Sequence, residues 1–253
     1  MFDLKIRKKN EVYLKVEAEP HINYELADFF TFEVESAKFM QKNKRYKGWD
    51  GKIRLYSPGT GEIYVGLIDY LLDWADQRGY KYKMEECKYF GHPLSENGMI
   101  TPQAIAGFVK SLRLPSQLKV RDYQYKAIYE ALKYNRRLLL SPTASGKSLM
   151  IYALVRFHVN VDRSILIVVP TTSLVEQMYK DFEEYGWMAS EYCHKIYAGA
   201  EKYTNHQVVI TTWQSVYKEP RKWFERFDVV IGDEAHLFKA KSLTSLMGKL
   251  HEC

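Results

Sequence analysis

The stretch LLLSPTASGKSLM, residues 138–150, predicts a strand, a loop of small residues and a helix in immediate succession. Leucines precede the loop, and good helix formers follow Ser148. This order directs backbone N–H groups and the helix dipole at one point, where phosphate groups bind. Ser141 stands where such a loop usually opens with glycine, so the pattern also fits an ordinary helix start.

Similar apolar runs recur toward the C-terminus and extend the pattern. The predicted strands are RRLLLS (residues 136–141), SILIVV, QVVIT and DVVIG. They alternate with helical segments such as TSLVEQMYKDFEEYG. Because uninterrupted apolar strands are typical of parallel sheets that are buried on both faces, this part of the chain is predicted to be an α/β domain.

The first hundred residues have a different, mixed pattern. VYLKV alternates like a half-buried strand, KIRLYS and IYVG flank a turn, and the helical stretch LIDYLLDWADQRG ends at Gly79. Thr101 and Pro102 begin a second helix. RLPSQLK, residues 113–119, is the predicted linker because Pro115 ends that helix. We therefore predict a small α+β domain over residues 1–113 and an α/β domain over residues 114–253.

Composition limits the class of protein. The 253 residues are 46% apolar, but no apolar run is long enough to cross a bilayer and the start resembles no signal peptide, so we expect a cytoplasmic protein. Cys87, Cys193 and Cys253 lack metal-ligand spacing and fit a reducing compartment. The net charge is +6, and residues 38–54 hold seven basic residues and one acidic residue. That segment accounts for the whole excess.

A second chemical motif lies in FDVVIGDEAHLF, residues 227–238. Asp233 and Glu234 follow the end of an apolar strand, where parallel sheets bind ligands. If the loop of small residues holds a nucleotide, Lys147 reaches its terminal phosphates, while Ser148 and Asp233 hold Mg²⁺. Glu234 would orient or deprotonate the attacking water. The alternative for the two acids is a loop near a helix N-terminus.

Several motifs in this order resemble those of superfamily 2 helicases. SPTASGKS, VVPTTSLVEQM, ITTWQS and DEAH resemble motifs I, Ia, Ib/Ic and II, and RDYQ resembles the adenine-recognition motif. With NKRYKGWDGKIRLY included, the whole chain resembles the amino-terminal part of bacteriophage recombination helicases of the DEAH type. The resemblance implies a RecA-like motor domain preceded by a small α+β domain, with ATP and Mg²⁺ as cofactors.

The resemblance also implies roles for individual residues. Arg121 and Gln124 would contact adenine, and His236 would couple the nucleotide site to DNA. The phosphate-binding residues would be Thr143, Ala144, Ser145, Gly146, Lys147 and Ser148. Family members often carry glycine in place of Ala144, which would be strained by roughly 1–2 kcal/mol if the loop requires a left-handed residue there.

Nucleic-acid contacts are predicted in both domains. Cations and an indole alternate in the first, and they can bind phosphates and stack on bases: Lys42, Lys44, Arg45, Lys47, Trp49, Lys52 and Arg54. The alternative is a solvated basic surface with Trp49 packed inside. In the second domain the resemblance implies phosphate contacts to a single strand by Pro170, Thr171, Thr172, Ser173, Thr211 and Thr212.

The resemblance implies an ATP-dependent helicase that acts on branched DNA, such as forks, Holliday junctions and R-loops, in recombination, replication and repair. Only 17 residues follow DEAH, so we expect a monomeric amino-terminal fragment without the second motor domain. It would bind ATP and DNA, where the DNA is branched or single-stranded and RNA–DNA hybrids are a further substrate. It would hydrolyse ATP poorly. Two alternatives remain, a translocase on duplex DNA like restriction-enzyme motors, and a nucleic-acid-binding module with a vestigial nucleotide site.

Overall fold

The chain folds into two compact units, Met1–Phe90 and Gly91–Cys253. The computed structural model describes residues 2–42, 47–85, 100–134, 136–197, 199–237 and 240–250, with only the backbone described at 240–243. None of the helices in these ranges combines the length and the apolar character that a membrane span requires.

The first unit is built on a five-stranded mixed sheet. Its strands are β1 (Leu4–Lys8), β2 (Tyr13–Ala18), β5 (Tyr56–Ser57), β6 (Glu62–Tyr64) and β7 (Tyr82–Met84), in the order β5-β6-β2-β1-β7. The remaining elements are α1 (Pro20–Phe29), β3 (Thr31–Glu33), α2 (Ala37–Met40), β4 (Lys52–Arg54) and α3 (Ile68–Arg78). β1 pairs parallel with β7, whereas β3 and β4 form a separate antiparallel ribbon.

One face of this sheet forms the core of the first unit with α1 and α3. Alternation in β2 buries Leu14 and Val16, as the sequence predicts. Gly79 ends α3 in the left-handed conformation with φ of 71°, which confirms the predicted helix stop. The predicted hairpin is confirmed only in part, because Tyr56–Ser57 pairs with β6 while Lys52–Arg54 pairs with β3.

The second unit alternates helices and strands. Its helices are α4 (Pro102–Ser111), α5 (Asp122–Tyr134), α6 (Lys147–Asn160), α7 (Thr172–Glu184), α8 (Ala189–Tyr192), α9 (Trp213–Val216), α10 (Arg221–Phe224) and α11 (Ala240–Met247). Its strands are β8 (Ile165–Val169), β9 (Cys193–Ile196), β10 (Val208–Thr212) and β11 (Val229–Gly232). All strand pairs are parallel, in the order β11-β8-β10-β9.

Apolar side chains cover both faces of this parallel sheet. Ile165 and Ile167 of β8 pack into one core with α4 to α7, whereas Leu166 and Val168 pack into a second core with Trp223 and neighbours. Uninterrupted apolar strands are required for this arrangement. The predicted α/β class is therefore confirmed. Cys193 begins β9, where burial raises the pKa of its thiol to about 12; Cys87 and Cys253 lie outside the described residues.

The predicted strand at residues 136–141 is wrong for this structure. Residues 137–141 form no ladder with a neighbouring strand, and Leu138 and Leu140 are 75% and 88% exposed. The nearest edge of the sheet, β11, lies across a cavity of about 560 Å³ that both segments line. Without a partner within hydrogen-bonding reach, an apolar run cannot form a strand.

The boundary between the units also differs from the predicted linker at residues 113–119. Helix α4, which begins at the predicted cap Thr101, belongs to the second unit. Its side chains Ile105 and Val109 pack in the same core as Ile128 of α5. Pro115 does end the helical region, but the chain turns there within one unit because α4 buries its apolar face against α5.

Candidate nucleotide site and nucleic-acid surfaces

The loop before α6 has the backbone of a phosphate-binding turn. Ala144 and Gly146 have φ of 61° and 79°, and Gly146 caps the helix that begins at Lys147. Ala144 therefore adopts the left-handed conformation that glycine favours, at a cost of about 1–2 kcal/mol. A Cβ atom at Gly146 would lie 2.3 Å from Gln124 Nε2, so this position requires glycine for space as well as conformation.

The buried side chain of Gln124 hydrogen-bonds with this loop. Its side chain is 4% exposed, Nε2 donates to the Ser145 carbonyl at 2.9 Å, and Oε1 accepts from the Arg121 backbone N–H at 2.9 Å. The Tyr123 hydroxyl donates to the same Ser145 carbonyl at 2.8 Å. The RDYQ motif is thereby connected to the phosphate loop, although the two lie about twenty residues apart in sequence.

The predicted catalytic residues meet beside this loop. Lys147 Nζ lies 2.5 Å from Glu234 Oε1, and the second carboxylate oxygen of Glu234 lies 3.3 Å from His236 Nδ1. Asp233 accepts the backbone N–H of Glu234 at 2.9 Å. Glu234 has φ of 48°, a strained conformation of the kind that occurs at functional sites. Residues separated by more than eighty positions thus form one cluster.

The two carboxyl groups have opposite electrostatic environments. The hydrogen bond from Lys147 holds the pKa of Glu234 below its ordinary value. Burial raises the pKa of Asp233, and the Glu234 charge adds to that effect. An opposing pair of environments is common where two neighbouring acids have different tasks. A divalent cation beside Asp233 would favour its charged form.

The residues predicted to hold Mg²⁺ have the chemistry that the ion prefers. Mg²⁺ usually takes one or two carboxylates and phosphate oxygens, and Asp233 and the Ser148 hydroxyl supply oxygen ligands. Within the described residues, no group of three or more His, Cys, Asp or Glu forms a closed metal site. Burial raises the pKa of both Asp181 and Tyr185, and the nearby Ser148 hydroxyl opposes the rise at each group.

Two cavities of about 560 Å³ flank the segment from Leu138 to Ser141. Arg121, Tyr123 and the loop residues Thr143 to Ser145 line the first. Lys147, Asp233, Glu234 and His236 line the second. Sequence reasoning assigned no role to Tyr123 or Asp181. The position of Tyr123 inside RDYQ was a usable signal, whereas nothing in the sequence connects Asp181 to Ser148.

The basic segment of the first unit is partly neutralised. Lys52 lies 3.2 Å from Glu33, and Arg54 pairs with Asp50. Lys42 and Lys47 are exposed, whereas Trp49 is half-buried and its indole N–H donates to the Lys52 carbonyl at 3.0 Å. Lys44 and Arg45 lie outside the described residues. The predicted DNA contacts at these positions stay predictions.

The predicted DNA contacts of the second unit include exposed residues at the start of α7 and buried residues at the end of β10. Thr171, Thr172 and Ser173 are exposed at the start of α7, where the Thr171 hydroxyl accepts the Leu174 N–H at 3.3 Å, while the neighbouring Pro170 is buried.

The side chains of Thr211 and Thr212 are buried in this structure, and the predicted DNA contacts at these positions stay predictions. They are 0% and 4% exposed, and Thr211 Oγ1 donates to the Ile196 carbonyl at 2.9 Å. Thr212 Oγ1 hydrogen-bonds with Ser215 at 2.9 Å. They are buried because β10 lies inside the sheet, between β8 and β9.

Phosphate loop, acidic pair and covered parallel sheet define a RecA-like motor domain of superfamily 2 helicase type, preceded by a small α+β unit. The family model of the type III restriction enzyme res subunit matches residues 117–252, and the chain belongs to that family. A model of the N-terminal domain of the DNA helicase UvsW matches residues 3–85.

Individual relatives are more specific. The chain is 33% identical over 259 residues to the ATP-dependent DNA helicase UvsW of Enterobacteria phage T4, covering 99% of this chain and 50% of the relative. A crystal structure of the UvsW helicase from bacteriophage T4 matches with a TM-score of 0.80 at 32% identity, over 100% of this chain and 89% of the other. A DNA 3'-5' translocase, XPB2 of Sulfurisphaera tokodaii, is 28% identical over 145 residues, 56% of this chain and 31% of the relative. The predicted resemblance to bacteriophage recombination helicases is confirmed. The chain spans about half the length of the UvsW protein.

Proposed function

We propose that the intact protein is an ATP-dependent DNA helicase or translocase, in which this chain supplies a DNA-recognition unit and the first motor domain. The observation that carries the proposal is the convergence of Lys147, Asp233 and Glu234 beside the phosphate loop. The names of the UvsW and XPB2 relatives support the same class of activity.

The residues suggest how ATP would be bound and activated. Backbone N–H groups of residues 143–148 and the N-terminus of α6 hold the phosphates. The phosphates compete with Glu234 for Lys147, because both are anions that bind the same ammonium group. Release from Lys147 leaves Glu234 free to orient and deprotonate the attacking water. Mg²⁺, held by Asp233 and Ser148, would neutralise charge on the phosphates.

Adenine is assigned to the first cavity. Arg121 and Tyr123 line it directly, while Gln124 holds the loop through the Ser145 carbonyl. We infer that binding of adenine beside Arg121 and Tyr123 changes the position of the loop, because Tyr123 and Gln124 hydrogen-bond with the Ser145 carbonyl. Gln124 keeps its predicted contact with adenine.

The DNA substrate is assigned to two surfaces. The cations at residues 38–54 bind phosphates of branched DNA, with RNA–DNA hybrids as a further substrate. The exposed hydroxyls of Thr171, Thr172 and Ser173 bind a single strand. His236, which lies 3.3 Å from Glu234, couples DNA binding to the nucleotide site. The protein acts as a monomer in the host cytoplasm.

Hydrolysis measurements test this proposal. Residues 1–253 should bind ATP with little turnover, whereas a version extended through a second motor domain should show DNA-stimulated hydrolysis, because arginines from a second domain can stabilise the charge of the transferring phosphate. Glu234→Gln in the extended protein should lower kcat at least about 100-fold while ATP binding persists. Equal, robust hydrolysis by the short and the extended proteins would contradict the assignment.

A second candidate is a translocase that moves along duplex DNA without separating strands. The match to the restriction-enzyme res subunit and the translocase relative favour it. Displacement of a labelled strand by the extended protein supports a helicase, whereas ATP-dependent movement without displacement supports a translocase. A vestigial nucleotide site predicts no loss of biological activity in Lys147→Ala.

A further inference from the structure

The five-stranded sheet of the first unit has one face outside the core. Six side chains of this open sheet face are cationic or aromatic and at least partly exposed: Lys5, Arg7, Tyr13, Lys15, Tyr64 and Lys83. The residues between them in the strands point the other way, into the core with α1 and α3. The open sheet face is separate from the basic segment at residues 38–54.

The strand register brings like charges together on this face. Lys5 lies directly opposite Lys83 of β7 on one side and Glu17 of β2 on the other. Arg7 lies directly opposite Lys15 of β2, which in turn lies opposite Glu62 of β6. Like charges in directly opposed positions destabilise a sheet. Each of the two rows contains two cations and one carboxylate, so the rows keep an excess of positive charge that an anion can bind.

Acidic neighbours neutralise only part of this charge. Glu17 pairs with Arg7 and Glu62 pairs with Lys9, while Glu85 accepts the Lys8 backbone N–H at 3.3 Å. Lys15 donates to the Thr60 carbonyl at 2.6 Å and keeps its charge. Among the side chains that the structure describes, neither Lys5 nor Lys83 forms an ion pair.

An aromatic pair completes the open sheet face. Tyr13 and Tyr64 lie opposite each other on β2 and β6, with ring centroids 5.1 Å apart and planes inclined by 30°. Tyr64 is 39% exposed and lies at the end of β6, beyond the residues that pair with β5. Exposed rings beside cations form a surface on which unpaired bases stack, while the cations bind the phosphates.

We propose that the open sheet face binds single-stranded nucleic acid, with phosphates along Lys83, Lys5 and Lys15 and a base on Tyr64. The proposal rests on the proposed DNA-dependent function and adds a binding site to it. From β7 to β6 the face spans three strand spacings, or about 14 Å, which is room for a short stretch of single strand. A duplex keeps its bases stacked internally and offers none to the tyrosines.

Oligonucleotide binding by residues 1–253 tests the site. Anisotropy of a labelled oligothymidylate is measured over a range of salt concentrations for the unchanged chain and for Lys5→Gln/Lys83→Gln. We expect the double variant to bind roughly tenfold more weakly and its log–log salt slope to fall by about 1.4, because two cations stop contacting phosphates. Its thermal stability should change little, since Lys5→Gln removes one like-charge pairing with Lys83 and one opposite-charge pairing with Glu17.

The tyrosine has an independent readout. Tyr64→Ser should weaken binding of oligothymidylate at least about fivefold, yet it should leave binding of an abasic oligonucleotide of the same length unchanged. Equal losses for both oligonucleotides would show that no base stacks on Tyr64 and would overturn that part of the proposal.

Matched variants separate this site from other surfaces. Lys110→Gln/Lys180→Gln changes the net charge equally on exposed helices of the second unit and should bind as the unchanged chain does. If Lys5→Gln/Lys83→Gln behaves like that control while Lys42→Gln/Lys47→Gln loses affinity, the open sheet face is not a DNA site, although the proposed function stands. No binding by the unchanged chain would overturn both. Loss of polyglutamate binding with intact oligonucleotide binding would instead identify an acidic protein partner.

Discussion

Ala144 is a strained residue whose strain can be measured. Its φ of 61° is unfavourable for any residue with a Cβ. Ala144→Gly should raise the free energy of unfolding of the second unit by about 1 kcal/mol, less the entropy that glycine adds to the unfolded chain. Urea unfolding followed by tryptophan fluorescence measures the change. Ala131→Gly within α5 should have the opposite sign, about 1 kcal/mol of destabilisation; a loss of stability in both variants would contradict strain at Ala144.

The ion pair between Lys147 and Glu234 predicts a titration effect. Lys147 holds the pKa of Glu234 below its ordinary value, so Lys147→Met should raise that pKa. A group with a lowered folded-state pKa adds stability above its unfolded pKa and loses it as pH falls through the folded pKa. As pH falls from the ordinary glutamate pKa to the lowered one, the unchanged protein should therefore lose more of its free energy of unfolding than the variant does. Carbon-13 NMR of the carboxylates measures both values, and an unchanged Glu234 pKa in Lys147→Met would exclude the contact.

Individual candidate site residues could be proposed from the sequence where a chemical role requires a particular type of side chain. Lys147, Asp233 and Glu234 each follow from their place at a strand end or a helix start, and the structure brings them together. The engagement of Gln124 with Ser145 was not predictable, because it depends on how α5 packs below the loop. The hydrogen bond of Thr211 to the Ile196 carbonyl was not predictable, because a threonine in an apolar strand has the same sequence pattern whether its hydroxyl meets DNA or a neighbouring carbonyl.

At the scale of elements, the turn between β1 and β2 contains a buried ion pair. Lys8 and Glu11 are in contact, and their side chains are 6% and 3% exposed. Lys8→Met removes the cation from a buried carboxylate and should destabilise the first unit by about 3–5 kcal/mol. Thermal unfolding followed by circular dichroism measures the loss.

The double variant Lys8→Met/Glu11→Leu is the matched test of that pair. Because both charges are removed together, most of the lost stability should return. If the double variant is as unstable as the sum of its single variants, the contribution of Lys8 and Glu11 comes from packing and not from their charges.

Sequence patterns predicted elements well where tertiary pairing agreed with local preference. Ile165–Val169, Val208–Thr212 and Val229–Gly232 are apolar runs that become strands because each has a hydrogen-bonding neighbour. Residues 137–141 have the same local character but remain outside the sheet, since a cavity separates them from β11. Local sequence records the preference for a strand but not the availability of a partner.

At the scale of the whole molecule, each of the two units has an apolar core of its own. Leu4 and Trp74 belong to the core of the first unit, and Ile128 and Ile165 to that of the second. The predicted boundary missed the structural one because α4 has the composition of either unit, and its partner α5 decides the assignment. Separate cores predict that each unit can respond to a change within it while the other does not.

Calorimetry of residues 1–253 tests this independence. ATP with Mg²⁺ should stabilise only the second unit, because the phosphate loop and Lys147 lie there. At a ligand concentration 100 times Kd, its free energy of unfolding should rise by about 2.7 kcal/mol, and its transition should move to a higher temperature. Lys8→Met should lower only the transition of the first unit. Lys147→Ala should abolish the response to ATP and leave the first transition in place. A single transition that moves as a whole in all three cases would mean that the units unfold together, and the free energy of nucleotide binding would then stabilise the first unit as well.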